Sequence, residues 1–427
     1  MRGWLLVLLI AGLPALAEEP VLTLEAALAA VDAPHPQVMA AQADLNLALA
    51  DQNLADSAKD PLLNFEGQLR RGQTTLNGRD WEDDHGARLV FRKPLLDFGR
   101  ESGQVDAARQ EVSARRLALL DVRDTRRIDI MARYFDVLLA DAQYAADNEY
   151  TAVYYVSWDD SKKRFELGEL NARDLAQLEA RYQDQREKRN RSLMAVRTAR
   201  QKLANAINRP GQLPSELAPP ALPQNELKLP DYETLLPAAL KSNRQLLAQD
   251  ARLKAVAART ESIRADRSPT LDVEMYASDY NRDTATRDRY GAGLVLNWPL
   301  YQGERIDSRL AREAAQRARL EAAFEQGRRD LADVLLETLL EIEWLKTAAR
   351  PAARVQTDYR DQALERARGE YELELKTNLG TAMADTQAAA IRQKQVEYRL
   401  ALALARLEAL AGIPLKEFAQ GTKQGTP

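Results

Sequence analysis

The stretch Leu296–Arg305, LNWPLYQGER, joins two sequence patterns that are typical of different secondary structures. The residues before it, YGAGLVLNW, alternate like a β-strand, whereas the residues after it, IDSRLAREAAQRARLEAAFEQ, are charged and alanine-rich like a helix. A proline–leucine pair marks the join, and a glycine follows it. Phe91–Arg100, FRKPLLDFGR, repeats this arrangement about two hundred residues earlier. The chain therefore makes the same strand-to-helix junction twice, at Pro94 and at Pro299.

Other prolines extend this correspondence to the whole chain. Three pairs of prolines are separated by 208, 205 and 204 residues: Pro61 with Pro269, Pro94 with Pro299, and Pro210 with Pro414. The order and lengths of the predicted elements between them also match. The sequence therefore indicates a tandem duplication, and its single long period excludes a solenoid of many short units.

The duplication predicts how the chain is divided. The expected parts are a signal peptide (1–17), a first structural repeat (18–209), a proline-rich linker (210–231), a second repeat (232–414) and a C-terminal tail (415–427). Each repeat should contain a helix, two strands and two long helices, with strands at about 61–71, 86–97, 270–280 and 289–300. We expect Pro351 to kink or locally break its long helix.

Composition and the N-terminus narrow the class of protein. The first residues, MRGWLLVLLIAGLPALA, have one arginine, a short apolar core and Ala15-x-Ala17, and so predict a secretory signal that is cleaved after Ala17. The alternative, an uncleaved membrane anchor, is disfavoured because the apolar run is about half the length of a spanning helix. The net charge of −4, without a basic cluster among aromatics, argues against nucleic acid as a partner. The chain has no cysteine, so it forms no disulfide.

Catalytic signals are weak. The two histidines, His35 and His85, lie in unrelated contexts and give no pattern of zinc ligands. The sequence contains no GxxxxGK[ST], HExxH or GxSxG motif. We therefore expect no enzyme activity, no cofactor and no metal.

The four predicted strands each have one apolar and one charged face. The flanking helices carry apolar stripes too narrow to cover such a sheet, and strands of about ten residues are long enough to cross a bilayer at a tilt. In lipid a sheet must close, so several chains would have to combine: two give eight strands and three give twelve. Charged residues that should point inward favour the wider, water-filled barrel: Glu66, Arg70, Arg88, Arg92, Asp272 and Glu274.

Aromatic and proline residues at the strand ends agree with a membrane barrel. Tyr290 and Trp298 lie at opposite ends of one strand, as in an aromatic girdle, although an ordinary buried tryptophan would explain Trp298 equally well. Pro94 and Pro299 are expected to stop strand pairing where the chain leaves lipid and becomes helical.

In these features the chain resembles the TolC-type outer-membrane efflux family. The paired PLLDFGR and PLYQGER junctions, the terminal LEALAGIP and the segment RFELGELNARDLAQLEARY at Arg164–Tyr182 carry the resemblance. It implies a mainly α-helical, internally duplicated fold in which three chains complete a twelve-stranded membrane β-barrel joined to a long periplasmic coiled-coil tunnel. It also implies localisation in the outer membrane, with a large periplasmic portion.

The resemblance further implies where partners and a gate would act. Helix tips of such proteins meet a periplasmic adaptor, through which an inner-membrane pump is reached indirectly, and inward acidic residues constrict the tunnel. Carried onto this chain, the candidate gate and docking residues are Arg164, Gly168, Asp174, Tyr371, Lys376 and Asp385. Local helix chemistry also accounts for two of them, Gly168 as a C-cap and Asp174 as an early-helix acid.

The sequence thus predicts a passive exit duct of a tripartite efflux pump or type I secretion system, gated at the periplasmic helix tips. Replacing Asp174 by Ala is expected to raise its closed-state conductance. The alternative is a soluble periplasmic coiled-coil scaffold or adaptor without a barrel, which a salt or carbonate wash would release from membranes.

Overall fold

The computed structural model describes residues 21–73, 80–213, 216–281, 287–373 and 378–415. The predicted signal peptide and all but the first residue of the predicted C-terminal tail lie outside these residues. The chain forms two compact units, each built from three segments. The first unit comprises Met1–Ala33, Arg126–Glu226 and Ile342–Leu404, and the second comprises Pro34–Thr125, Leu227–Glu341 and Ala405–Pro427.

Helices dominate the described residues. They are α1 (Leu24–Leu28), α2 (Pro36–Ser57), α3 (Arg100–Glu166), α4 (Ala172–Ala206), α5 (Tyr232–Ser242), α6 (Arg244–Ala265), α7 (Arg305–Trp344), α8 (Arg350–Glu372) and α9 (Leu379–Ala411). The proline-free stretch after Gly99 becomes one helix, α3, of 67 residues, as its composition predicts. Within the described residues, no helix is both long and apolar enough to cross a membrane.

Four strands form one antiparallel sheet in the order β1-β4-β5-β6. These strands are β1 (Leu62–Gln68), β4 (Gly86–Leu96), β5 (Thr270–Tyr280) and β6 (Tyr290–Asn297), and a separate hairpin pairs β2 (Arg71–Gln73) with β3 (Trp81–Asp83). The first predicted strand, about 61–71, is therefore divided between β1 and β2. The central β4–β5 pair joins the two halves of the sequence.

The register of the sheet separates apolar from charged side chains. Two rows of residues paired across all four strands are almost wholly apolar: Leu63, Phe91, Met275 and Ala292, and Phe65, Leu89, Ala277 and Tyr290. Several of these side chains are uncovered, since Phe65 is 72% exposed and Leu63 is 63% exposed. An apolar sheet face this exposed requires an apolar environment outside the chain.

The opposite face of the sheet carries a charge cluster. Arg88 and Arg92 of β4 donate to the two carboxylate oxygens of Glu274 on β5, at 3.0 and 2.7 Å. The Arg88 guanidinium also lies 4.4 Å from the centre of the Tyr276 ring. That ring covers Gly291 on β6 so closely that a Cβ there would lie 2.4 Å from it. Three of the residues predicted to point inward, Arg88, Arg92 and Glu274, thus share one side of the sheet. Arg70 of the same predicted set lies outside these four strands and pairs with Asp84.

Pro94 does not end its strand, contrary to the sequence-based expectation. The pairing of β4 with β1 stops at Arg92, so Pro94 needs no N–H on that side. It still lies opposite Asp272 of β5, and a shift in register between Pro94 and Leu96 carries the strand to its end. Proline is tolerated at such irregular positions. Pro299, by contrast, lies beyond the last residue of β6.

The two strand-to-helix junctions use the same backbone conformation with different residues. Phe98 has φ of 54° and Gly303, 205 residues later, has φ of 62°. Glycine adopts this left-handed region freely, whereas the same conformation costs a phenylalanine about 1–2 kcal/mol. The Asp97 side chain accepts a hydrogen bond from the Gly99 N–H at 3.2 Å and so stabilises the first junction.

Pro351 is accommodated without a break in the helical path. A π-helical turn, Leu345–Ala349, lies between α7 and α8, and Pro351 follows at the start of α8. Proline removes one N–H and its ring collides with a carbonyl of the preceding α-helical turn. The wider π turn relieves that collision, so the predicted disruption is confined to five residues.

Buried residues on the long helices recur at intervals of three and four residues, as in a coiled coil. Leu331, Leu335, Thr338, Ile342 and Leu345 are all buried. In the first unit, Phe135 of α3 stacks on Tyr398 of α9 with ring centres 4.4 Å apart. In the second unit, α2 and α3 share a small cluster that includes Leu45 and Leu119.

Candidate gate and docking turn

The turn between α3 and α4 is closed by Gly168. This glycine has φ of +74°, and its N–H donates to the Phe165 carbonyl at 3.0 Å while the Glu169 N–H donates to the Arg164 carbonyl at 2.9 Å. This pair of bonds is the Schellman arrangement, which requires a left-handed residue after the helix. The predicted role of Gly168 as a C-cap is confirmed.

Asp174 belongs to the start of the returning helix. Asn171 is the N-cap of α4, and its side-chain oxygen accepts from the Asp174 N–H at 2.9 Å. The Asn171 amide in turn donates to the Asp174 carboxylate at 2.8 Å. An acid in the first turn is also stabilised by the helix dipole. Asp174 is therefore an early-helix acid, as local chemistry predicts.

The same turn exposes a charged pair and apolar side chains. Arg164 and Glu169 lie 3.5 Å apart, and both side chains are more than half exposed. Leu167 at the apex is 73% exposed, and Val156 on α3 is 56% exposed. Behind them the ring of Trp158 stacks on that of Tyr182, so α3 and α4 are held together near the turn. The turn thus presents an exposed apolar tip beside a charged pair.

The second turn, between α8 and α9, is described only at its edges. Tyr371 in the last turn of α8 is 62% exposed. Lys376 lies outside the described residues. The docking role expected for this second turn therefore stays a prediction.

Asp385 bonds to side chains of two other helices. Its carboxylate accepts a hydrogen bond from the Tyr150 hydroxyl of α3 at 2.5 Å and another from the Arg360 guanidinium of α8 at 2.6 Å. The Thr386 hydroxyl donates to the Arg360 carbonyl at 3.2 Å. We call Tyr150, Arg360 and Asp385 the three-helix lock, because one carboxylate of α9 joins two other helices.

Electrostatics keep the three-helix lock in its bonded form. Burial raises the pKa of the Tyr150 hydroxyl, and the hydrogen bond to the Asp385 carboxylate raises it further. Tyr150 thus remains a donor at neutral pH. Charge-assisted bonds to a carboxylate are stronger than neutral ones. The lock can hold α3, α8 and α9 together with every group in its neutral-pH protonation state. It opens only if the two hydrogen bonds to Asp385 break.

Sequence reasoning found Asp385 but not its partners. Tyr150 lies 235 residues from Asp385 along the chain, and neither it nor Arg360 belongs to a local motif. The contact between α3 of the first repeat and α9 of the second appears only in the structure, and no sequence signal marks it.

A model of the family described as outer membrane efflux protein matches residues 28–209 and 235–413. The chain belongs to the outer membrane efflux protein family. The two matched segments together cover most of the efflux protein, and no curated protein sequence matches it.

Solved structures share the fold of this efflux protein at low sequence identity. CusC has 18% identity, a TM-score of 0.73 and coverage of 91% of this chain and 92% of that one. The CmeC outer membrane channel of Campylobacter jejuni has 13% identity, a TM-score of 0.75 and coverage of 94% and 88%. The MtrE outer membrane channel of Neisseria gonorrhoeae, solved in its open state, has 17% identity, a TM-score of 0.72 and coverage of 92% of this chain and 89% of that one.

Family membership identifies the general activity. Proteins of this family are outer-membrane efflux channels, and this chain is accordingly an outer-membrane channel with a large periplasmic helical portion. The family is one of channels, not of enzymes. These findings favour the channel over the soluble scaffold. Channels of this family generally work as trimers in tripartite efflux pumps.

Proposed function

We propose that this efflux protein is the exit duct of a tripartite pump or of a type I secretion system, built as a homotrimer. The four-stranded sheet supports this proposal, because its edge strands β1 and β6 each pair on one side only within the described residues. Three such sheets would close a twelve-stranded barrel whose exposed apolar face meets lipid. Transport through the duct would be passive, driven by an inner-membrane pump.

The α3–α4 turn is the proposed docking point for a periplasmic adaptor. It presents the exposed Leu167 between the charged pair Arg164 and Glu169, on a backbone fixed by Gly168. An exposed apolar residue surrounded by charges suits a protein partner that buries the centre and pairs with the rim. Asp174, three residues past the N-cap, would lie at the edge of this contact.

The three-helix lock is the observation that carries the gating proposal. Asp385 joins α3, α8 and α9 at once, so separating α8 and α9 from α3 requires breaking its bonds to Tyr150. Arg360 and Asp385 are both only partly exposed, at 35% and 26% of their side chains, so the ion pair is less screened than a surface pair. We assign the closed state of the duct to the bonded lock.

Single-channel recording in planar bilayers tests the gate. We expect Asp385→Asn to raise the closed-state conductance, because a neutral amide holds Arg360 and Tyr150 less strongly. Tyr150→Phe should raise it less, since the ion pair remains. Asp174→Ala is the comparison variant, with a smaller rise expected because the Asp174 carboxylate bonds within its own capping turn.

The controls separate the gate from the duct. Gly369→Ala, on α8 where an added Cβ contacts nothing, should leave conductance unchanged. An Asp385→Asn protein with wild-type conductance would contradict the gate and leave the duct standing. A pure, refolded trimer that forms no channels at all would contradict the duct itself.

A further inference from the structure

One contact within the chain joins the first repeat to the second. Phe135 of α3 and Tyr398 of α9 stack with an interplanar angle of 11°, and they are only 1% and 6% exposed. Met131, one turn earlier on α3, is 5% exposed. This apolar contact covers one side of α3 and one side of α9.

The duplication identifies the counterpart of every residue in this contact. Buried positions coincide when α3 is shifted by 205 residues onto α7 and α4 by 204 residues onto α9. The coincident buried pairs are Arg126 and Leu331, Ile130 and Leu335, Val137 and Ile342, Gln185 and Ala389, and Leu203 and Leu407. Past the ends of α4 and α9, Asn208 and Gly412 share a positive φ at the same shift.

The counterparts of the buried contact are exposed. The pairs, with exposed fractions, are Phe135 (1%) and Leu340 (55%), Met131 (5%) and Leu336 (41%), and Tyr398 (6%) and Met194 (63%). Each repeat thus has an apolar surface on its first long helix and another on its last helix. The first repeat covers the surface on α3 and exposes the one on α4, whereas the second covers the surface on α9 and exposes the one on α7. We call Leu336 and Leu340 the α7 ridge.

We propose that Met194 of one chain packs against the α7 ridge of a second copy of this chain. The proposal rests on the trimer of the proposed function and names the helix surfaces that hold it together. The chain makes one contact between its repeats internally, so the equivalent contact, between α4 and α7, is left for a neighbouring copy. An interface that joins two different surfaces in this way can close into a ring. Methionine suits this position because its flexible side chain fills irregular apolar gaps.

Charges beside the apolar pair agree with this pairing. Arg197, one turn after Met194, occupies the position at which the second repeat has the buried Ala401. Arg197 is exposed and makes no ion pair with any described residue, and Glu337 is exposed on α7 beside the ridge. An arginine on one surface and a glutamate on the other favour the proposed register and disfavour association of like surfaces.

Cysteine cross-linking tests the interface directly, because the natural chain contains no cysteine. Met194→Cys and Leu340→Cys are made as separate variants, co-expressed, purified in detergent and treated with a short bismaleimide. We expect covalent dimers from the co-expressed pair and none from either variant alone, since the interface joins unlike surfaces. A chain carrying both substitutions should yield covalent trimers.

A matched pair and a mass measurement make each outcome decisive. Met194→Cys with Met39→Cys, an equally exposed methionine of α2, should give no product. Light scattering that shows intact trimers without cross-linked dimers would overturn this interface and leave the proposed function standing. Light scattering that shows only monomers would overturn the trimer itself. If the chain with both cysteines cross-links only within itself and yields no covalent dimers or trimers, the proposed interface is also wrong.

Discussion

At the scale of single residues, Tyr134 links three segments of the first unit. Its hydroxyl contacts the carbonyl oxygens of Leu22 and Ala218 at 2.8 and 2.6 Å, and its side chain is fully buried. Leu22 precedes α1 and Ala218 lies in the inter-repeat linker, so α3 holds both segments through one phenol. No sequence pattern marks this tyrosine, because its partners are distant backbone atoms.

The Tyr134 hydroxyl predicts a loss of stability at high pH. Burial raises its pKa to about 12, whereas an unfolded tyrosine titrates near 10. The folded state therefore holds a proton that the unfolded state has lost, and this contribution is complete below about pH 10 and disappears as pH rises through about 12. We expect the free energy of unfolding, measured in detergent by circular dichroism, to fall across that window.

The Tyr134→Phe variant is the control for this effect. It loses the one hydrogen bond that the hydroxyl proton can donate to these carbonyl oxygens, about 0.5–1.5 kcal/mol at neutral pH. Its unfolding free energy should then fall less steeply between about pH 10 and pH 12 than that of the natural protein. Equal slopes in the two proteins would show that other buried tyrosines, such as Tyr150 and Tyr398, cause the alkaline loss.

At the scale of secondary-structure elements, local chemistry explains most of what the sequence predicts. The absence of proline after Gly99 predicts α3, and alternating apolar residues predict β4, β5 and β6 nearly to their ends. The sequence misses what depends on neighbours. Pro94 continues in β4 because the β1 partner has already ended, and this arrangement is visible only once the register is known.

The π turn before Pro351 explains why the spacing between the repeats changes. Ile130 and Leu335 match at a shift of 205, whereas Ser161 and Ala367, both buried, match at 206. The second repeat therefore has one residue more than the first between these points. A π turn is an α-helix with one residue inserted, so it keeps the same faces buried on both sides.

Deleting Thr347 from the π turn tests this explanation. The deletion should restore a continuous α-helix with its faces in register, but Pro351 would then lie inside it at a cost of about 3 kcal/mol. We expect the single deletion to lower the melting temperature in detergent. Combining it with Pro351→Ala should recover most of the loss, and a double variant no more stable than the deletion would contradict the explanation.

At the scale of the whole molecule, the duplication is the feature that the sequence reveals best. The spacing of the prolines alone indicates it, and the family match covers both halves. The sequence does not show which surfaces of the two repeats meet, because both repeats carry the same apolar periodicity. The burial of Phe135 compared with the exposure of Leu340 is what distinguishes the contact within a chain from the proposed contact between chains.

In the proposed interface, the same correspondence leaves the three-helix lock without an equivalent between chains. The counterpart of Asp385 is Arg181, at a shift of 204, and that of Tyr150 is Gln356, at 206. A neutral amide would therefore face the neighbouring Arg181 where the chain itself has a charge-assisted bond. The closed duct would be held by one strong lock in each chain.

Gln356→Glu should add a second lock to each chain. A carboxylate at this position can pair with Arg181 of the neighbouring chain, so we expect a lower closed-state conductance in planar bilayers and a higher temperature of trimer dissociation. Gln356 also accepts a hydrogen bond from Arg392 of its own chain at 2.7 Å, so the new carboxylate has a competing partner. Adding Arg181→Ala distinguishes pairing with the neighbouring chain from pairing with Arg392, because it removes only the contact between chains. If the effect of Gln356→Glu persists in that background, the new ion pair lies within one chain and the proposed register between neighbours is wrong.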